Sequence, residues 1–446
     1  MSELRRTLGF ADVVMLTLGT VIGSGIFLVP AVVLRQTGGN LSLAIAAWVV
    51  GGVVSFLGAL TYAELGAAKP EAGGLYAYIR DAFGALPAFL YGWTSILVIA
   101  SGSIAALAVA FSNYLGELIP ISPIGAKVVS ALVIAVIAAM NIRGTRESAS
   151  LENWATGVKV GGLIVISVCL IALSFGRTPP SAPPVAASAS IVAGIGSAMI
   201  GILWAYEGWQ YATFSAGEIR EPQRVFPRAL AVATAALIGL YLIANVAYVA
   251  TLGVNAAAAS DRVAADAMRV AFGGWSGKAF SALVLVSIFS AANGVMLTAP
   301  RLYYSMARDG VFFERLARIH PRLGTPVYAI GLLAVWSALL AVSGTFGQLL
   351  TYVVFTGWIF YGLGALSVFA SRRKAPGLAR PFRTPGYPLT PLLFVVSAAL
   401  LVLNTLVEQP KQAAIGLAVV VAGAPAFFLW RMRSRGASPE ASRVSL

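Results

Sequence analysis

Charge is scarce in this chain: 11% of its 446 residues are Asp, Glu, Lys or Arg, against 59% hydrophobic. Soluble domains carry about 25% charged residues, so most of this surface cannot face water. Histidine and cysteine are scarcer still, with one of each. The lone Cys169 excludes an intrachain disulfide and leaves the redox compartment open. The lone His320, in a basic loop beside Pro321, reads as a solvated loop residue. Metal-dependent catalysis needs several clustered ligands, and no metal or other cofactor is expected. Serine hydrolysis needs a nucleophile beside a general base. A pore needs rings of charge or carbonyls. Short repeats are missing too, which excludes solenoids and propellers. The first apolar run, Phe10 to Leu34, is too long for a cleavable leader and has no small-residue cleavage site. The net charge of +14 would suggest a nucleic-acid partner in a soluble chain. Here the positive residues fall in short loops between apolar runs, which a lipid bilayer explains and a nucleic acid does not.

What is present is hydrocarbon in lengths that match a membrane. About 20 apolar residues cross the bilayer core as a helix. The sequence predicts twelve spans, over 10–34, 42–66, 86–114, 123–141, 154–175, 190–217, 229–252, 279–299, 327–342, 349–371, 388–407 and 413–430. Of the 31 Lys and Arg residues, twenty-three then fall on one side, seven on the other, and Lys159 remains inside a span. By the positive-inside rule both chain ends are expected in the cytoplasm. The domain reading is a cytoplasmic segment 1–9, a five-helix unit 10–176, a second unit 190–371, two further helices in 388–431 and a solvated, disordered tail 432–446.

Two spans look broken. The first carries Gly19-Thr20-Val21-Ile22-Gly23-Ser24-Gly25-Ile26-Phe27, then Pro30. Each glycine weakens a helix by about 1 kcal/mol. A break frees N–H groups at the positive end of the following half-helix, and in lipid those groups need a partner such as a carboxylate. Small-residue helix packing accounts for Gly-Ser-Gly equally well. The sixth span, Ser190 to Gly217, would be about 42 Å long if continuous, beyond the roughly 30 Å core. Its middle reads Trp204-Ala205-Tyr206-Glu207-Gly208-Trp209-Gln210. Glu207 is read as the one mid-span acid, costly there and therefore a functional candidate. Two interrupted spans in matching positions of two halves are the sequence signature of a transporter site.

These residues carry a resemblance. The chain is similar to the L-type amino acid transporter family, as a bacterial member, within the amino acid–polyamine–organocation superfamily. Gly23-Ser24-Gly25-Ile26-Phe27 with Pro30 resembles the family's first-helix motif, and Trp204-Ala205-Tyr206-Glu207-Gly208-Trp209, followed by Glu218-Ile219 and Pro222, its sixth. Pro70-Glu71-Ala72-Gly73-Gly74 with Tyr76 and Tyr78, Arg301-Leu302-Tyr303 with Ala307-Arg308-Asp309-Gly310, and Arg380-Pro381-Phe382-Arg383 match further motifs. The resemblance implies an all-α membrane fold of twelve helices, a five-plus-five inverted repeat with two extra C-terminal helices. It implies a site between helices 1 and 6: substrate carboxylate at the amides near Ser24 and Gly25, and α-ammonium at carbonyls of Val21, Trp204, Ala205 and Glu207. Trp204 stands at the aromatic gate. Lys159 matches a fifth-helix lysine that substitutes for a sodium ion and bridges helices 1, 5 and 8. The residue-level alternative for Lys159 is snorkelling to an interface.

Glu207 departs from the commonest family pattern, where a small residue follows the tyrosine. Its carboxylate is expected to favour a cationic side chain; the alternatives are a protonated glutamate that only hydrogen-bonds, or an internal pair with Lys159. The aromatics Tyr352, Phe355, Trp358 and Tyr361 recur every three residues in the tenth span, chiefly for packing. Gly19, Gly25 and Gly208 are hinge candidates. The loop between spans three and four has no cysteine, so no disulfide-linked heavy subunit is expected. The reading is a non-enzymatic, sodium-independent exchanger of neutral or cationic amino acids in the plasma membrane, working by alternating access. A proton-coupled amino acid or polyamine symporter is the alternative.

Overall fold

Every predicted span falls on a helix. The computed structural model describes residues 6–186 and 191–436. The first helices are α1 (Phe10–Val21), α2 (Gly25–Gln36), α3 (Leu41–Ala68) and α4 (Leu75–Phe83). Next come α5 (Ala85–Thr94) and α6 (Ala100–Leu115), joined by a π-turn over Ser95–Ile99, then α7 (Pro123–Arg143) and α8 (Thr145–Ser174). The second half holds α9 (Ile191–Ala205), α10 (Pro222–Ala259), α11 (Val263–Phe272), α12 (Gly274–Thr298) and α13 (Pro300–Arg308). It ends with α14 (Val327–Ser343), α15 (Phe346–Lys374), α16 (Leu389–Glu408) and α17 (Pro410–Gly436). The predicted tail lies largely in 437–446, outside the described residues, as do residues 1–5 of the N-terminal segment.

Among the described residues, ten helical stretches are long and apolar enough to cross a bilayer, and the bent pair α1–α2 makes eleven. The ninth predicted span is α14, apolar throughout but only 17 residues long. The chain is thus a multi-pass helical membrane protein. Helix α8 begins nine residues before its predicted span, because Arg146 and Glu147 lie in its first turns. A hydropathy window discards such a start, but an exposed helix end tolerates it.

Helix α1 packs against α8, α10 and α12, so the first break sits at the centre of the bundle. The two broken spans touch there through glycines. A methyl group on Gly25 would lie 2.6 Å from the Cα of Ala205, so only hydrogen fits at this crossing. Gly208 has φ +133°, a conformation side chains rarely adopt, and lies against the Thr20 carbonyl.

At the end of the bundle near the N-terminus, the predicted motif segments meet. The N–H groups of Thr7 and Leu8 donate to the Glu218 carbonyl (2.8 and 3.0 Å), and that of Arg220 donates to Leu8 (2.8 Å). Arg301 and Glu218 form a buried ion pair at 2.9 Å. Arg80 bridges Glu71 (3.0 Å) and Asp309 (2.8 Å), and the Tyr76 hydroxyl donates to Asp309 (2.8 Å). Burial opposes the Arg80 charge, but its bonds to Asp309 and Asp81 outweigh that and hold the guanidinium's pKa above its ordinary value. The carboxylate of Glu64, inside α3, takes Arg372 on both oxygens (2.8 and 2.7 Å) and the Thr384 N–H (2.7 Å). That contact fastens the segment after α15 to α3.

Candidate substrate site between the broken helices

The sixth span is interrupted as well as the first. Helix α9 stops at Ala205, the chain turns through Tyr206, Glu207 and Gly208, and it resumes as a tight 3₁₀ stretch, Trp209–Glu218. In the first span, Val21 and Gly25 flank a gap of three residues, and the two halves bend by 45°. Breaks in lipid must find partners for the carbonyls they release. Here the partners are side chains. Tyr241 of α10 donates its hydroxyl to the carbonyls of Val21 (3.2 Å) and Ala205 (2.9 Å). Thr20 donates to the Gly208 carbonyl (3.2 Å), and Ser287 of α12 to the Ile22 carbonyl (3.0 Å).

Between the breaks lies a cavity of about 30 Å³, room for about two waters. Its walls are Thr20, Val21, Gly23, Ser24 and Gly25 from the first break, and Trp204, Glu207 and Tyr211 from the second. Ser103, Leu107 and Val295 close it. Glu207 is the one carboxylate in the lining, and no basic side chain is there. Tyr361 donates to its Oε1 (2.9 Å) and Gln210 more weakly (3.4 Å), while Gln210 also donates to the Tyr361 hydroxyl (2.9 Å). Oε2 is buried with no hydrogen-bond partner. The Ser24 hydroxyl is likewise buried and unpartnered, at the N-cap of α2, where the first N–H groups have no acceptor within the helix. The lining therefore offers free donors at one place and a free carboxylate oxygen at another.

Two larger depressions are lined by elements that also wall the cavity. One, about 440 Å³, is lined by Leu28, Val29, Ile200, Phe346 and Gln348. The Trp204 ring meets Phe346 edge-on at 6.1 Å between this depression and the cavity. The other, about 470 Å³, is lined by Arg6, Glu71, Arg80, Arg308 and Asp309, and the 3₁₀ stretch runs from the cavity (Tyr211) to its wall (Gly217).

Of the residues named from sequence, Val21, Ser24, Gly25, Trp204 and Glu207 line the cavity. Ala205 packs against Gly25 and gives its carbonyl to Tyr241 instead. Lys159 lies outside the cavity and does not snorkel: it is 1% exposed and donates to the carbonyls of Gly19 (2.5 Å) and Ile22 (3.0 Å) and to Ser290 Oγ (3.0 Å). Helices α1, α8 and α12 are thereby joined through one ammonium. Glu207 and Lys159 make no pair; each has other partners. His320 accepts backbone N–H groups through Nδ1 in its loop. Of the four aromatics in α15, Tyr361 is the one that reaches Glu207. The reading of a single mid-span acid is incomplete, because Glu64 and Glu152 are also buried inside helices, 2% and 1% exposed. Tyr241 and Ser287, which satisfy the released carbonyls, had no sequence signal beyond being polar residues in apolar spans.

Comparison with known proteins agrees with this geometry. Residues 8–425 match the family model described as amino acid permease. The cystine/glutamate transporter of Homo sapiens is 31% identical over 433 residues, 96% of this chain and 86% of that protein. The serine/threonine exchanger SteT of Bacillus subtilis (strain 168) is 28% identical over 438 residues, 98% of both chains. The Asc-type amino acid transporter 1 of Mus musculus is 30% identical over 449 residues, 97% of this chain and 83% of that protein. A chain of this length, with two broken spans around a buried polar cavity, belongs to the amino acid permease family, and it is a membrane transporter, not an enzyme.

Proposed function

We propose that the chain is a sodium-independent amino acid exchanger that works by alternating access, and that Glu207 selects for a positively charged group on the substrate. One observation carries the reading: the Ser24 hydroxyl at the N-terminus of α2 and Glu207 Oε2 are buried and unpartnered, and both residues line the same cavity. An amino acid has complementary ends. Its carboxylate suits the N–H groups of a helix N-terminus, and its α-ammonium suits the carbonyls of Val21, Trp204, Ala205 and Glu207, of which Val21 must first release the Tyr241 hydroxyl or the Gly23 N–H. Glu207 Oε2 then faces the α-ammonium or a cationic side chain. Trp204 with Phe346 gates one path, and the 3₁₀ stretch with the Glu218–Arg301 pair closes the other. Opening these in turn enlarges a cavity too small for substrate as it stands.

Sodium independence rests on Lys159, whose ammonium occupies two carbonyls and a hydroxyl, oxygens that would otherwise suit a sodium ion. The names of the relatives, an exchanger among them, favour exchange. The reading includes the five-plus-five inverted repeat with α16 and α17 outside it, both chain ends in the cytoplasm, a plasma-membrane location and no disulfide-linked partner.

The test is uptake of labelled arginine and alanine into liposomes holding the purified protein. Internal amino acid, sodium and a pH gradient are varied separately, with Glu207→Gly in parallel. Uptake that requires internal amino acid and ignores sodium is expected, with arginine uptake lost selectively in the variant. Uptake into empty liposomes driven by an inward proton gradient would replace exchange with symport. Equal losses of arginine and alanine uptake would remove Glu207 from side-chain selection.

A further inference from the structure

Lys159 has three N–H groups and three neutral acceptors, so its hydrogen bonds are complete but its charge is not answered by any of them. Taking a lone ammonium out of water costs several kcal/mol, and hydrogen bonds to neutral groups only partly offset that. The answering charge lies on the same helix. Glu152 is seven residues earlier on α8, two turns away and on the same face, about 10.5 Å along the axis. Helical side chains lean toward the N-terminus, so the lysine reaches back toward the glutamate.

The two do not touch. Ser290 of α12 stands between them: its Oγ accepts from Lys159 (3.0 Å) and donates to Glu152 Oε1 (2.7 Å). The hydroxyl dipole therefore points from the ammonium to the carboxylate. Asn293 donates to Oε2 (2.9 Å) and Thr156 to Oε1 (3.4 Å), so both carboxylate oxygens have donors. Asn293 is itself oriented by Asn141 and Ser148, each 2.9 Å from its Oδ1. The carboxylate also lies against the first break. A methyl group on Gly19 would fall within 2.1 Å of Glu152 Oε1, and the Gly19 carbonyl is the one that takes Lys159. The nearby acid on α1, Asp12, is occupied by the Gly9 N–H and the Asn153 amide.

We propose that Glu152 is the counter-charge of Lys159, acting through the Ser290 hydroxyl, and so a positioning residue for the broken first helix. Without it the ammonium is a lone buried charge, and its hold on the carbonyls of Gly19 and Ile22 loosens, leaving Ser287 alone on the Ile22 carbonyl. The edge of the break, from Val21 to Gly25, is then held only by Tyr241 and Ser287. The inference rests on the exchanger reading for its activity measurement, but not for its stability measurement.

The experiment compares wild type, Glu152→Gln, Lys159→Gln, the double variant and Ser290→Ala, by thermal unfolding in detergent and by amino acid exchange in liposomes. Removing one partner of a buried pair is strongly destabilising, whereas removing both is often neutral. Each single charge variant is therefore expected to unfold several degrees lower than wild type. The double variant is expected to regain most of that loss while its exchange stays at least about tenfold down, because Lys159 still no longer holds the break. Ser290→Ala should fall between wild type and Glu152→Gln in both measurements. If the single variants do not fold, recovery of folded protein in the double variant gives the same support. Losses that add in the double variant, or a Glu152→Gln protein that matches wild type, would overturn the pairing. A wild type that exchanges no amino acid would sink the exchanger reading and leave the unfolding comparison able to decide the charge pairing.

Discussion

Glu152 and Glu207 are both buried carboxylates beside the same broken helix, and their hydrogen-bond inventories are opposite. Glu152 has donors on both oxygens, from Ser290, Thr156 and Asn293, and shares the Ser290 hydroxyl with a lysine on its own helix. Glu207 lines the cavity with both donors on Oε1, and its Oε2 is buried without a partner. The first arrangement is complete within the protein. The second is incomplete by one positively charged or hydrogen-bonding group. Buried polar atoms are nearly always satisfied in folded proteins, so an orphan on a residue that lines a cavity is a place where another molecule can complete the set. On the proposed reading the two residues have different tasks although a hydropathy scale treats them alike: Glu152 holds the scaffold, and Glu207 meets the substrate.

The same contrast explains what was legible in the sequence. Glu207 stood out because the residues around it form a broken span and a family motif. Glu152 did not, because it lies two residues before the predicted start of its span at 154, beside Arg146 and Glu147. In that position it reads as part of a solvated helix end. The helix in fact begins at Thr145 and turns Glu152 inward toward α12. An acid and a base seven residues apart on an apolar helix was the available signal. Both breaks were visible from Gly19 to Gly25 and from Trp204 to Gly208. The 3₁₀ continuation over Trp209–Glu218 was not, since it follows from packing against α3, α10 and α12, which no local pattern encodes. Tyr241 was silent for the same reason: its value lies in reaching two carbonyls from different helices.

The sharpest way to break the comparison is to neutralise each acid in turn. Glu152→Gln leaves Lys159 without a counter-charge, and a loss of about 3–5 kcal/mol in unfolding stability is expected. Glu207→Gln removes a carboxylate whose Oε2 has no partner, and it should leave stability within about 1 kcal/mol of wild type or raise it, as is common where function strains a site. Its effect belongs in transport, with arginine uptake falling about tenfold or more relative to alanine. Thermal unfolding and uptake on the same preparations check both. Equal destabilisation by the two substitutions would erase the distinction.

A smaller effect is expected from Tyr361→Phe, which removes the shorter bond to Glu207 Oε1 and leaves Gln210 at 3.4 Å. A bond to a charged acceptor contributes about 1.5–3 kcal/mol, but Gln210 can close in, so a loss nearer the lower figure is anticipated. That is roughly a tenfold rise in KM for arginine. Alanine KM should move less, because its side chain carries no charge for Glu207 to meet. A parallel rise for both substrates would place the Tyr361–Glu207 contact in the packing of α15 rather than in selection.

Ser24→Ala should have the smallest effect, and its sign is informative. The hydroxyl is buried without a partner, so its removal spares the protein the cost of a desolvated polar group, about 1–3 kcal/mol at most, and the unfolding temperature should rise. The substrate loses one donor to its carboxylate but keeps the N–H groups at the start of α2, which carry the helix dipole. KM should therefore rise only about threefold for arginine and alanine alike, since both present the same carboxylate. Ser24 thus behaves like Glu207 in stability and unlike it in selectivity. A fall in unfolding temperature would mean that the hydroxyl has a partner inside the protein. Ser24 would then belong with Glu152, among the groups that hold the break.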